Sequence, residues 1–143
     1  MGDRMLTDNQ RRAARIALAN LDRELCVIES WADGREDDGV LYRERNDLTR
    51  RRIAALRKRI AEARELLVEA RDRFGLRVTE ARASGDAWGR CCALRDTLSE
   101  LDAKHMKGYG ELSTQGAEYL DGLSSRLVAA VDRMARTLRR EAP

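Results

Sequence analysis

The chain holds few groups that could do chemistry, and their spacing tests each one. It has a single histidine, His105, and three cysteines, Cys26, Cys91 and Cys92. A closed zinc site needs four ligands, and a di-metal carboxylate site in a helical bundle needs two Glu-x-x-His motifs. Here Asp102-x-x-His105 occurs once, with no second copy. No metal site and no cofactor is therefore expected. On one continuous helix Cys91 and His105 lie about 21 Å apart at ~1.5 Å per residue, too far for a nucleophile and its base. No Gly-x-Ser-x-Gly elbow, Walker loop or Gly-x-Gly-x-x-Gly is present. Nothing nominates a catalytic residue, and the expectation is a protein that is not an enzyme. An odd cysteine count with two residues adjacent, and no apolar leader, argue for free thiols and a cytoplasmic setting. Cys91 is expected on an apolar seam and Cys92 beside it, nearer solvent.

The aromatic residues are distributed more tellingly. Trp31, Tyr42, Tyr109 and Tyr119 fall in or beside two long connections, together with His105. Loops held by a rigid scaffold carry binding functions more often than seams do. Trp31, Tyr42, His105 and Tyr109 are accordingly a candidate docking surface or small-ligand pocket. The alternative is a structural lid, in which these rings, with Val40 and Leu41 folded back, plug the open end of a bundle.

Of the 28 basic residues, 25 are Arg. Residues 49–75 carry a net charge of +5 and residues 108–122 a net −3, within a total of +3. Arg50, Arg51, Arg52, Arg57, Lys58 and Arg59 crowd a helix start, where the positive end of the dipole disfavours cations. Phosphate contacts would explain them. So would pairing with the acidic 36–38 loop and with Glu111, Glu118 or Asp121. Arg12, Arg73, Arg136, Arg139 and Arg140 converge on the opposite end and are the candidate polyanion contacts. A total of +3 is small for a nucleic-acid binder, so nucleic acid stays the second partner class.

These residues need elements to position them. Ala and Leu far outnumber Val, Ile and Thr, and the one proline is Pro143, a composition that favours helix. Alternating three- and four-residue apolar spacing recurs four times: Ala14 to Ala32, Ile53 to Phe74, Ala87 to His105, and Leu120 to Leu138. Thr7-x-x-Gln10 reads as a capping box. Asn46, Asp47 or Thr49 can start the second helix, Gly75 can end it, and Ser113 or Thr114 can start the last. The expected fold is all-α, a single domain over residues 1–143, with helices at about 8–33, 48–74, 79–107 and 114–140. The third would bend near Gly85–Gly89 and the fourth would be weak at Gly122. A short connection at 75–78 and two longer ones at the other end imply an antiparallel up-down-up-down four-helix bundle. Charges interrupt every stretch well short of the ~20 apolar residues a membrane span needs, so no membrane partner is expected. The function expected is a non-enzymatic adaptor or regulatory module that binds a protein or a second copy of itself. The second reading is a basic nucleic-acid module, and the third a small-ligand binder.

Overall fold

The computed structural model describes residues 5–139. The protein is all-α apart from one two-stranded ribbon, and the chain divides into two compact units, Met1–Thr79 and Glu80–Pro143.

In the first unit, helix α1 (Asp8–Ala32) packs on α2 (Arg50–Phe74), and strands β1 (Asp37–Asp38) and β2 (Arg43–Glu44) connect them. The ends of both helices follow from local chemistry. Thr7 accepts from the Gln10 N–H while the Gln10 side chain accepts from the Thr7 N–H, a complete capping box. Of the three candidate caps for α2, Thr49 does the work, accepting from the Arg52 N–H. Gly75 closes α2 at φ 63°, and the Leu76 N–H bonds back to the Arg71 carbonyl. That left-handed turn is open to glycine at little cost.

The seam of α2 is covered along its length: Ile60 is buried, and Ile53, Leu56, Ala63, Leu67, Ala70 and Phe74 are half-buried. On α1, Leu25 and Ala32 are buried, but Leu21 is 41% exposed. Leu21 lies on the apolar seam from Ala14 to Ala32, which places it in a core, and its own unit leaves it part-exposed instead. A single partner helix covers a narrow stripe, and Leu21 falls at its margin.

The second unit pairs α3 (Ala83–Ser99) with α5 (Thr114–Thr137), with a one-turn helix α4 (Ala103–Met106) and a 3-10 turn (Lys107–Tyr109) between them. Cys91, Ala103, Ser124 and Val131 are its buried residues. The buried Ser124 hydroxyl donates to the Leu98 carbonyl at 2.8 Å, which ties α5 to α3.

Three helix limits differ from the sequence expectation. The third helix does not start at Thr79, because Leu76, Arg77, Val78 and Thr79 line a groove of the first unit. Nor does it run to 107. Asp102 accepts from the His105 N–H, and Asp121 accepts from the Ala103 N–H at 2.8 Å. Those carboxylates take donors that a continuous helix would use internally, and a new helix starts at Ala103. The last helix starts as expected after Ser113, passes through Gly122 unbroken and ends at Thr137. Leu138 and Arg139 follow as a turn and a bend, and Arg140 lies outside the described residues.

Candidate functional site

The ribbon between α1 and α2 is the most highly organised exposed feature of the first unit. Its register pairs Asp37 with Glu44 and Asp38 with Arg43, and the Gly39 N–H donates to the Tyr42 carbonyl at 2.7 Å. A Cβ on Gly39 would stand 2.9 Å from that carbonyl oxygen, so the turn needs glycine there.

Glu44 is the hub. One carboxylate oxygen accepts from the Trp31 indole N–H, the other from the Tyr42 hydroxyl at 2.8 Å. Arg35 lies over the Trp31 ring, 5.6 Å from its centroid. Asn46 Nδ2 donates to the carbonyls of Trp31 (2.6 Å) and Arg35 (3.2 Å), while Asn46 Oδ1 accepts from the Leu48 N–H. From α2, Arg57 reaches Asp33 at 2.7 Å and the Ala32 carbonyl, and Arg64 grips Glu29 through two bonds of 2.6 and 3.2 Å. The Arg64 guanidinium holds the Glu29 carboxyl below the usual range, through its hydrogen bonds first.

This framework presents Val40 at 98% and Leu41 at 100% exposure, with Tyr42 at 59%. Within its own unit this segment does not fold back. The two residues expected to fold back stand in solvent, because the turn is built around Gly39 and the ribbon is braced from beneath by Trp31 and Asn46.

The hydrogen bond to Glu44, aided by the neighbouring negative charges, raises the Tyr42 pKa above the ordinary tyrosine value. Neutral Tyr42 donates that bond and tyrosinate cannot. The contribution is thus complete at neutral pH and is lost as pH rises through the raised value. Ultraviolet titration of a Tyr109→Phe, Tyr119→Phe chain should show one tyrosine ionising above the usual range. In the same background Glu44→Gln should bring that midpoint down.

The four candidate docking residues divide between the units. Trp31 and Tyr42 meet through Glu44. His105, expected on a seam, is exposed on α4 and paired with Asp102, because the break before Ala103 replaces it with Ala103 at the buried position. The His105 side chain and N–H hold the Asp102 carboxyl below its usual range. Tyr109 is 89% exposed and plugs nothing.

The expected pairing of the basic helix start with the 36–38 loop is also corrected. Arg45 takes Glu36 and Asp38, Arg35 takes Asp37, and Arg59 takes Glu62. Residues flanking each acid in the ribbon reach it first, so these acids are paired from within, and residues 35–45 keep a net charge of −1. Arg50, Arg51 and Arg52 stand exposed.

The arginine candidates also separate by unit. Arg12 lines a shallow cavity with Asp8, Arg11, Arg15, Leu76 and Arg77, and Arg73 is exposed on the last turn of α2. Arg136 and Arg139 surround a cavity of about 230 Å³ with Arg95, Trp88 and Cys92. Cys91 is buried and Cys92 exposed, as their spacing implied; Cys26 is exposed too, and all three are free.

Sequence reasoning missed Glu44 and Asn46 as organisers. The Asp38-Gly39 turn signal followed by Val40, Leu41 and Tyr42 could have disclosed the ribbon. It also missed a groove of about 430 Å³ along α1 and α2, lined by the apolar Leu18, Leu67 and Val68 and by Arg15, Arg71 and Arg77, among others.

Among the described residues no group of three or more His, Cys, Asp and Glu could hold a metal ion. No helix among them is long and apolar enough to cross a membrane. Comparison with protein-family models, curated proteins and solved structures finds no match to this chain.

Proposed function

We propose that this chain is a non-enzymatic interaction module of the cytoplasm that docks on a protein through the tip of its β-ribbon. The observation that carries this reading is the pairing of Val40 and Leu41 at 98 and 100% exposure on a turn braced from both helices. A single exposed apolar residue calls for no explanation. Two adjacent ones on an ordered projection make an anchor that is already in place, which lowers the ordering cost of binding.

The up-down-up-down bundle belongs to the same proposal. Leu21, Leu94 and Met134 lie on apolar seams yet are 41, 46 and 53% exposed, and a shared four-helix core would cover them. Arg136 and Arg139 beside the Arg95–Asp132 ion pair in one cavity favour the second reading, a polyanion contact.

A chain carrying both Val40→Ser and Leu41→Ser should melt within about 0.5 kcal/mol of the unchanged protein, because neither side chain is packed. It should lose at least tenfold in affinity for any protein partner. Partner binding that survives both changes would refute the docking reading. Binding of unrelated duplex DNA at about 0.15 M salt should be negligible. A micromolar complex there, weakened for every sequence alike by Arg136→Ala and Arg139→Ala, would establish the polyanion reading instead.

A further inference from the structure

We propose that the partner engaged by the ribbon tip is a second copy of this chain, with Val40 and Leu41 of each protomer seated in the α1–α2 groove of the other. This rests on the docking reading above and names its occupant. The tip and the groove are complementary in two respects.

The first is apolarity. The tip offers Val40, Leu41 and part of Tyr42, and the groove, about 430 Å³, is lined by Leu18, Leu67, Val68 and Val78 among others. Val68 and Val78 are 47 and 83% exposed, so the first unit does not cover this apolar lining itself.

The second is charge. Glu36, Asp37, Asp38 and Glu44 outnumber Arg35, Arg43 and Arg45, so the ribbon with its flanking Arg35 keeps net −1 over residues 35–45 once its internal pairs are counted. The groove carries Arg15 and Arg77, with Arg71 paired to Asp72 and Arg64 held by Glu29 beside them, and Asp22 is its one acidic lining residue. An acidic ribbon is matched to that cationic rim and is repelled by an anionic lipid surface.

The chain does not seat its own tip, since Leu41 is fully exposed. The groove spans Arg15 to Cys26 on α1, whereas the ribbon is fastened beyond Ala32 by Asn46 and Arg57. Two copies side by side and antiparallel bring each tip against the other's groove. Both contacts then close in one two-fold dimer, with no free tip left to propagate a filament.

Cys26 lines this groove and is exposed, so the chain carries its own reporter. In a Cys92→Ser background, Leu41→Cys under mild oxidation should give a disulfide-linked dimer. Peptide mapping should place the bond between Cys26 of one chain and the introduced thiol of the other, and Cys26→Ala should abolish that bond. Sedimentation of the unaltered chain should show a dimer. Leu41→Ser, or Arg15→Glu with Arg77→Glu, should weaken it at least tenfold.

A chain that stays monomeric to about 100 μM, or a dimer indifferent to Leu41→Ser, overturns self-docking. The docking reading then still stands or falls on capture of a different protein by the tip. Leu41-dependent flotation with phosphatidylcholine–phosphatidylserine vesicles, without dimerisation, would overturn both in favour of a lipid surface.

Discussion

Ile60→Ala is expected to lower the stability of the first unit by about 2–5 kcal/mol, the cost of deleting a buried branched side chain that its surroundings fill only in part. Ile60 is the most buried apolar residue there at 3% exposure, and its buried companions are only Leu25 and Ala32. With so thin a core between two helices, few other side chains can close the cavity. Urea melts followed by circular dichroism measure the effect, and an unchanged midpoint would contradict the packing of α1 on α2. Leu21→Asp is the informative companion. At 41% exposure in its own unit, Leu21 can be replaced by a hydrated carboxylate at little cost if the hairpin stands alone. If the four seams share one core, as proposed, the same change buries an unpaired charge and costs several kcal/mol.

The second large effect is expected at Asn46. Its side chain makes three hydrogen bonds, one donated to the Trp31 carbonyl in the last turn of α1, one to the Arg35 carbonyl just beyond it, and one accepted from Leu48 at the approach to α2. At a net contribution of about 0.5–1.5 kcal/mol each, Asn46→Ala should cost roughly 2–3 kcal/mol. The loss should fall on the ribbon rather than on the helices. Amide exchange at Gly39, whose N–H closes the turn on Tyr42, should quicken strongly, while amides in the middle of α2 keep their protection. Asn46→Asp is a sharper control. It keeps the acceptor for the Leu48 N–H but sets a carboxylate against two carbonyl oxygens, so it should be no better than alanine. Protection at Gly39 unaltered in both variants would remove Asn46 as the organiser. Under either docking reading, a disordered ribbon should bind more weakly than the Leu41→Ser chain's intact scaffold would suggest, because ordering must then occur on binding.

The helices and most of their limits were legible because their causes are local. Thr7 with Gln10, Thr49 with Arg52, Ser113 with Gly116, and Gly75 after Phe74 each act within about one turn. The same local clarity separated buried Cys91 from exposed Cys92 by their place on a seam. The candidate site was half legible. Trp31 and Tyr42 stood out by type, but the residue that joins them, Glu44, looks like any other acid in an acidic loop.

By itself, then, the sequence determined an all-α chain, the faces of its helices that turn apolar, and the caps that start and stop most of them. Those properties depend on neighbours three or four residues away, and any folded form of the chain inherits them. The tertiary structure alone decided the break before Ala103, which depends on Asp121 from another helix. It alone decided that the acidic loop pairs with its own arginines, and that Val40 and Leu41 project instead of folding back. The break and the projection are set by partners far apart in the chain, 18 residues for Ala103 and Asp121 and 15 for Asn46 and Trp31, whereas the loop pairs within itself because the ribbon folds it back on Arg35 and Arg45. Periodicity says which side chains are apolar. Only the packed structure says which partners arrive and which apolar side chains are left in water.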